Sequence, residues 1–257
     1  MVKLAPNSYN APTIVPLGQT GKIALIGSYL PRKCGIATFT ADLHQAVTKQ
    51  FGEGECLVVA VNDLVAGYSY RPEVRFEVYV SDVAAYQRAA DFLNIEAVDL
   101  ICLQHEFGVY GGPAGRNILA LLKDVRAPIV TTLHTVLRNP DRQQEQVMQE
   151  LIRLSSRLVV MTRYTRELLI ERYAAPPDKV DLIAHGIPDT AWSDPDDCKE
   201  PFGLEGKQVL LTFGLLSPGK GIENVLRALP QVVEKFPEVV YLVLGATHPN
   251  LVREQGE

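Results

Sequence analysis

The chain has 257 residues, of which 47% are hydrophobic and 21% charged, and its formal net charge is −5 at pH 7. This composition is typical of a folded globular protein and excludes a largely disordered one. The sequence contains no run of 18 apolar residues that could form a transmembrane helix. Residues 187–206 contain six acidic side chains and one lysine, so the charge of this segment, −5, equals the net charge of the whole chain. The rest of the chain is neutral overall, which gives no basic surface that would favour nucleic acid as a partner.

The first 21 residues combine three prolines with one charged side chain, Lys3, and contain no apolar core. This pattern predicts a loose N-terminal tail over residues 1–21 rather than a secretory signal. The four cysteines are widely spaced and form no Cys-x-x-Cys pair, which argues against a disulfide framework and against a thiolate zinc site. Free thiols are typical of a reducing compartment, so we expect the protein in the cytoplasm.

Short apolar runs alternate with segments of helical periodicity from residue 22 onward. Several runs are continuous stretches of β-branched residues and leucine, typical of strands buried on both faces of a parallel sheet. The predicted strands are residues 22–30, 55–61, 74–80, 98–103, 129–133, 157–161 and 179–184. Spacings of three and four residues between them predict helices, and Asn139 followed by Pro140 predicts the N-cap and first residue of one. The alternation predicts an α/β fold with right-handed crossovers.

A second, shorter unit of the same kind follows an acidic, proline-containing segment that is typical of a linker. Strands at 208–213 and 239–244 flank a helix at 221–236. Both strands are too apolar for a sheet with one face in water, and one helix covers only one face. The predicted domains are therefore an N-terminal domain, residues 22–186, a linker, residues 187–206, and a partial C-terminal domain, residues 207–257. We expect the remainder of the C-terminal domain beyond residue 257 or on another chain.

Three of the five histidines follow predicted strands at their carboxyl ends, namely His105, His134 and His185. Ligands of doubly wound sheets bind at that edge, so the three together favour a functional site, although each alone could simply cap a strand. A metal-dependent hydrolase with these histidines and Glu106 as ligands is an alternative interpretation. No His-x-His or His-x-x-x-His pair supports it.

The first turn between a strand and a helix spans residues 27–35 and lacks the G-x-G-x-x-G spacing. Its absence argues against a nicotinamide-dependent dehydrogenase. The turn does place Arg32 and Lys33 before Gly35 and a predicted helix N-terminus, so we expect it to receive an anionic or hydroxyl-rich ligand.

A later turn, residues 214–221, matches the pattern G-x-x-x-x-G-K after a strand and before a helix. Gly221 stands where a phosphate-binding loop of ATPases needs Ser or Thr to hold magnesium, so ATP hydrolysis is not expected. A glycine-rich turn, Lys220 and a helix N-terminus still make a site for a diphosphate.

Four segments resemble the motifs of one enzyme family when taken in order. The segments are residues 104–108, 132–135, 185–188 and 213–221. They resemble family-4 retaining glycosyltransferases of the GT-B architecture, in particular a mannosyltransferase-like branch, and the resemblance extends from about residue 22 to residue 247. It implies two Rossmann-like parallel-sheet domains, the second incomplete in this chain. The first domain would bind an acceptor and the second a nucleotide-activated sugar.

The resemblance implies transfer of a hexose such as mannose from a nucleotide-diphosphate sugar to a carbohydrate or lipid-linked acceptor, with retention of configuration. His134 matches a catalytic cleft histidine that contacts the donor sugar, Lys220 matches a basic residue that contacts the diphosphate, and Gly35 matches a loop glycine near the reacting sugar. The remaining implied site residues are Gly214, Gly219 and Gly221 for the donor, and Lys33, His105, Glu106 and His185 in the acceptor cleft. A fixed cation and helix N–H groups can stabilise a leaving diphosphate, so we expect no metal and no other cofactor.

Two departures from the family pattern keep other interpretations open. Leu215 stands where the family has an arginine, and the family's pair of glutamates lies further along than residue 257. A non-catalytic nucleotide-sugar-binding or assembly subunit is therefore an alternative, and a sugar-nucleotide epimerase is a weaker one. Lipid-linked acceptors would allow peripheral membrane contact, but in helix 163–173 the arginines alternate with Glu167 and Glu171, which is typical of a solvated face.

Overall fold

The computed structural model describes residues 21–52 and 54–256, so the predicted tail lies almost entirely outside the described residues. The chain divides into two compact units, the first ending at Ala184 and the second beginning at His185. The predicted boundary after residue 186 lies two residues beyond this division.

Within the described residues, the first unit is built on a parallel sheet of seven strands. The strands are β1 (Ile23–Gly27), β2 (Cys56–Asn62), β3 (Val74–Tyr79), β4 (Leu100–His105), β5 (Ile129–Leu133), β6 (Arg157–Val160) and β7 (Val180–Leu182). The helices are α1 (Gly35–Phe51), α2 (Val83–Ile95), α3 (Ile118–Leu122), α4 (Arg142–Leu154) and α5 (Arg163–Tyr173). The predicted α/β fold and the strands of this unit are confirmed, with bounds that move by up to three residues.

The strand order is β3-β2-β1-β4-β5-β6-β7. The order reverses between β1 and β4, which pair directly from Ile23 opposite Leu100 to Ile26 opposite Leu103. In doubly wound sheets the loops on the two sides of such a point diverge and leave a crevice at the carboxyl ends of the strands. The crevice of this unit is therefore expected between the loops that follow β1 and β4.

Both faces of the sheet are buried. Ala24 and Ile26 of β1 belong to a large apolar cluster that also contains residues of α2, α3, α4 and α5. Leu25, which points to the other face, belongs to a smaller cluster that is covered by α1. Burial on both faces explains why these strands read as continuous apolar runs rather than alternating ones.

The second unit contains a two-stranded parallel sheet and three helices within the described residues. Its elements are α6 (Pro195–Lys199), β8 (Gln208–Phe213), α7 (Ile222–Lys235), β9 (Val239–Leu244) and α8 (Pro249–Gln255). Both strands have the predicted bounds, and α7 is one residue shorter than predicted at each end. The segment predicted as a linker contains α6, whose N-cap is Asp194.

The prediction that Asn139 caps α4 and that Pro140 is its first residue was wrong. Asp141, and not Asn139, caps the helix, because its Oδ1 accepts hydrogen bonds from the backbone N–H groups of Gln143 and Gln144 at 2.8 and 2.9 Å. The side chain of Gln144 accepts a hydrogen bond from the Asp141 N–H at 2.9 Å and completes a capping box. Pro140 precedes the cap and is outside the helix. A carboxylate satisfies two free amides and complements the positive end of the helix dipole, which favours Asp141.

The position of His105 corrects another prediction, which placed it open in the acceptor cleft. His105 is the last residue of β4 and is 0% exposed, with its ring stacked on Tyr110 and in edge contact with Phe107. Neither ring nitrogen has a hydrogen-bond partner among the described residues. Burial, with a smaller contribution from His134, lowers the pKa of His105 from 6.5 to about 3. The side chain is therefore an uncharged part of the core.

Replacing Asp141 with Ala is expected to lower the free energy of unfolding by about 1 kcal/mol, because the cap of α4 is lost. Urea denaturation followed by circular dichroism measures this change. Asn139→Ala is the matched control and is expected to change the same quantity by less than about 0.5 kcal/mol. A larger loss for Asn139→Ala than for Asp141→Ala would contradict the assignment of the cap.

The depressed pKa of His105 makes stability fall in acid. The unfolded chain binds a proton at His105 below about pH 6.5, whereas the folded chain does not until about pH 3. The free energy of unfolding therefore loses up to about 1.4 kcal/mol per pH unit between these values. His105→Leu and His105→Gln are both expected to reduce this slope in denaturation curves measured from pH 7 to pH 4. An unchanged slope in both variants would contradict the assignment.

Candidate active site

His134 lies at the carboxyl edge of the first sheet, directly after β5. Its backbone N–H donates to the carbonyl of His105 at 3.0 Å, which continues the ladder between β4 and β5. Its Nε2 lies 3.0 Å from Oε1 of Gln104, and its ring is in perpendicular contact with Phe39 of α1 at 4.7 Å between centroids. His134 is half-buried. The ring is thus held from within the protein while part of it reaches the surface.

Glu106 joins the loops that follow β4 and β5. Its Oε1 accepts a hydrogen bond from the backbone N–H of Phe107 at 2.9 Å, and its Oε2 accepts one from the hydroxyl of Thr135 at 2.5 Å. Thr135 is the neighbour of His134 in sequence. The Glu106 carboxylate therefore fixes the position of the loop that carries His134.

The turn between β1 and α1 leaves space at the start of α1. Gly35 is the first residue of α1, and apart from its chain neighbours and its own helix backbone no heavy atom of the described residues lies within 4 Å of the point where a Cβ would stand. Cys34 caps the helix through Sγ, which accepts a hydrogen bond from the N–H of Ala37 at 3.3 Å. Lys33 is exposed. The turn offers space and one cation beside a helix N-terminus, as the predicted ligand site requires.

Arg32, the other cation of this turn, is engaged within the protein. Its Nε lies 3.4 Å from Oδ1 of Asp63, and its Nη1 donates to the carbonyl of Val61 at 3.1 Å. The hydroxyl of Tyr68 donates to the same oxygen of Asp63 at 2.7 Å. The Arg32 side chain is only 13% exposed. Its charge is therefore balanced by Asp63, and it ties the turn to the end of β2 instead of receiving a ligand.

Unpaired polar atoms are concentrated where the strand order reverses. Among the described residues, the buried side-chain atoms without a hydrogen-bond partner are Oγ of Ser28, Nε2 of Gln104 and both ring nitrogens of His105. Ser28 directly follows β1, and the other two residues end β4. Unpaired buried polar groups are costly and are found at functional sites. Gln104 was not predicted as a site residue, although it begins the segment 104–108 that contributes to the family resemblance.

A cavity of about 900 Å³ lies elsewhere in the first unit, beside α1. The hydroxyl of Tyr29 donates to Oε1 of Glu73 at 3.2 Å at this cavity, and Nε2 of His44 lies 3.3 Å from the carbonyl of Cys56. Burial and the nearby Glu73 carboxylate raise the pKa of Tyr29. None of the predicted site residues lines this cavity. This cavity and the predicted site therefore lie in different places.

The turn between β8 and α7 carries the predicted donor-binding residues. Residues Pro218–Lys220 form a 3-10 turn, and Gly221 is the N-cap of α7 with no side chain capping the helix. Gly214 and Gly221 have φ angles of 119° and 64°, which favour glycine because a Cβ is strained there. The first amides of α7 are not covered by a side-chain cap, an arrangement that suits an anion.

Lys220 folds back over its own turn. Its Nζ lies 4.0 Å from the point where a Cβ on Gly214 would stand. The turn packs closely on the segment after β9, where a Cβ on Gly245 would lie 1.8 Å from the carbonyl oxygen of Gly214. Leu215, which replaces the family's arginine, is half-buried. The lysine and the glycines of this turn are therefore close together, whereas no cation occupies position 215.

His185 begins the second unit and is exposed, with Nδ1 2.6 Å from the carbonyl of Gly186. The described residues contain no group of three or more His, Cys, Asp or Glu side chains that could hold a metal ion. The alternative of a hydrolase with His105, Glu106, His134 and His185 as metal ligands is therefore not supported.

The arginine-bearing helix α5 is tied to its neighbour. Arg172 forms an ion pair with Glu145 of α4, with 2.8 Å between Nη1 and Oε1. The Arg172 guanidinium lowers the pKa of this carboxyl, and Glu145 in turn raises the pKa of the arginine. Throughout the described part of the chain, no helix combines the length and the apolar character that a membrane crossing demands.

The sequence of this chain is similar to those of known glycosyltransferases. The profile of Glycosyltransferase Family 4 matches residues 35–191, more than half of the chain. A D-inositol 3-phosphate glycosyltransferase of Frankia alni is 30% identical over 183 residues, which are 63% of this chain and 44% of the relative. A protein of the same name from Rhodococcus erythropolis is 28% identical over 137 residues, 48% of this chain and 31% of the relative. The chain thus spans less than half the length of these curated relatives.

The fold has counterparts among solved structures. A crystal structure of Anabaena HepE in complex with UDP and glucose has a TM-score of 0.63 at 16% identity, and the match covers 91% of this chain and 64% of that one. At this identity the likeness shows the fold, which is the α/β GT-B fold expected from the motifs. The family-level resemblance is confirmed as well, and the chain belongs to glycosyltransferase family 4.

Proposed function

We propose that the protein transfers a hexose from a nucleotide-diphosphate sugar to a hydroxyl group of a carbohydrate or lipid-linked acceptor, with retention of configuration. The family match over residues 35–191 is the observation that carries the proposal. The relatives are named as glycosyltransferases, and the UDP and glucose held by the Anabaena protein support a donor of this class. Mannose is the hexose favoured by the motif resemblance.

The leaving group sets the chemistry required of the second unit. In the transfer, the bond between the anomeric carbon and a diphosphate oxygen breaks, and its electron pair leaves with the nucleoside diphosphate. The acceptor oxygen forms the new bond, and its proton passes to the departing diphosphate. The ammonium of Lys220 and the uncapped amides of α7 would stabilise the negative charge on the diphosphate without rearrangement, since both are already in place. Gly214, Gly219 and Gly221 would let the phosphates approach the backbone.

The first unit would supply the contacts to the sugars. The half-buried imidazole of His134 is proposed as the hydrogen-bonding partner of the donor sugar, and Gly35 leaves room for the reacting groups. Lys33 and Glu106 remain proposed cleft residues of this unit, and His185, at the start of the second unit, remains one as well. His105 would act only as support within the core, because its side chain is completely buried.

The second unit exposes several large apolar side chains, here together named the β8–α7 surface, namely Leu211, Phe213, Leu226 and Phe236. These side chains are 57%, 75%, 54% and 51% exposed, and no residue of the described part of the unit is buried. Apolar patches of this kind mark surfaces that other polypeptide covers. We propose that further polypeptide of the same domain covers the β8–α7 surface, in the same chain or in a partner chain. The greater length of the relatives supports this.

Lys220→Ala is expected to abolish stabilisation of the protein by nucleotide-diphosphate sugars, because the diphosphate loses its cation. The measurement is the rise in Tm with millimolar UDP- and GDP-hexoses, which binding to the folded state produces by mass action. Lys235→Ala, at the opposite end of the same helix, is the matched control and should keep the full rise. An equal rise in both variants would contradict the placement of the diphosphate.

Replacing Leu211 and Phe213 together with Lys is expected to reduce self-association of the chain, because the β8–α7 surface becomes charged. Sedimentation velocity over a range of concentrations measures this. Val65→Lys is the control, because Val65 is 83% exposed but lies singly in the first unit. A parent chain that stays monomeric, with a protease-resistant second unit, would contradict the proposed cover.

A further inference from the structure

Gln104 of β4 and His134, which directly follows β5, meet at the carboxyl edge of the sheet. Gln104 is the last residue but one of β4, and its partner in the ladder is Thr132 of β5, two residues before His134. Oε1 of Gln104 lies 3.0 Å from Nε2 of His134. The contact is therefore set by the sheet register and not by a flexible loop.

The Gln104 side chain is held tightly. It is 0% exposed, and a Cβ placed on Gly27 would lie 3.1 Å from its own Cβ, so β1 packs directly against it. The backbone carbonyl of Gln104 accepts a hydrogen bond from the hydroxyl of Tyr110 at 2.5 Å. On the far side of His134, the perpendicular ring of Phe39 limits rotation of the imidazole. Both partners of the bond are thus immobilised by packing.

The chemistry of the pair determines which nitrogen of His134 carries a proton. An amide oxygen only accepts hydrogen bonds, so Nε2 of His134 must be the donor of this bond. The acceptor is an uncharged amide and not a carboxylate.

The other end of the Gln104 amide shows that the residue is not there for stability. Its Nε2 is buried with no hydrogen-bond partner among the described residues. A buried, half-satisfied amide costs free energy of folding, and an apolar residue of the same shape would avoid that cost. Among the described residues, the side-chain hydrogen bond that Gln104 makes is the one with His134, and the residue therefore serves that bond.

We infer that Gln104 is a positioning residue that fixes the orientation and the Nε2–H tautomer of His134. The inference deepens the proposed function, because His134 is the residue proposed to contact the donor sugar. Gln104 itself is not a ligand contact, since its side chain is fully buried.

Nuclear magnetic resonance of the full chain labelled with ¹⁵N-histidine tests the inference directly. The Nε2–H proton of His134, assigned by its loss in His134→Gln, is expected to be visible and slow to exchange at pH 8. It should vanish in Gln104→Met, which keeps the shape of the side chain but removes the acceptor. It should persist in Gln104→Glu, which keeps an acceptor oxygen. Gln149→Leu, which removes an amide bonded to the Tyr173 carbonyl at 3.1 Å, is the control and should leave the signal unchanged.

A stability measurement separates positioning from a structural role. The Tm of Gln104→Met is expected to stay within about 2 °C of the parent or to rise, which corresponds to little or no loss of stability. A fall in Tm of more than about 5 °C, a proton on Nδ1 of His134, or a retained Nε2–H signal in Gln104→Met would each overturn the inference.

The failure of this inference and that of the proposed function are distinguishable. If the signals behave as expected while His134→Ala keeps full sugar transfer, the role of His134 in the reaction is wrong and the positioning by Gln104 stands. If His134→Ala abolishes transfer while the parent shows no protected Nε2–H, the proposed function stands and the positioning by Gln104 is wrong.

Discussion

The pairing of β1 with β4 is the constraint on which the candidate site of the first unit depends. These strands are neighbours in space and distant in sequence, and their register places Ile26 opposite Leu103. The loops after them diverge, because the strand order reverses at this point. The pairing of β4 with β5 then carries His134 to the same edge. Two ladders therefore bring together residues that no local interaction would join.

The same edge shows how an apolar core supports a polar site. Ser28, Gln104 and His105 are buried with unpaired polar atoms, each at a cost of about 1–3 kcal/mol. The strands that carry them are otherwise apolar and completely buried at positions such as Ile26 and Leu103. A sheet covered on both faces can hold these groups rigidly, and rigid placement favours the recognition of a ligand.

The two units differ in how their candidate residues are supported. His134 is fixed by long-range contacts to β4 and α1. The turn that carries Lys220 is instead defined by local backbone geometry, with positive φ at Gly214 and Gly221 and close approach at Gly245. Its shape is therefore indicated by the glycines in the sequence, whereas the neighbouring strand β8 is largely exposed among the described residues.

The sequence by itself determined the class of fold, the family and most of the strands. Apolar runs at 129–133, 208–213 and 239–244 match observed strands at both ends. Burial on both faces explains the run at 129–133, whereas the strands at 208–213 and 239–244 are not buried among the described residues. Only the tertiary structure decided that His105 is enclosed, that Arg32 is neutralised by Asp63, and that Gln104 reaches His134. These outcomes depend on which distant strands become neighbours. Burial and hydrogen-bond partners are properties of that arrangement, and no single segment of the chain contains them.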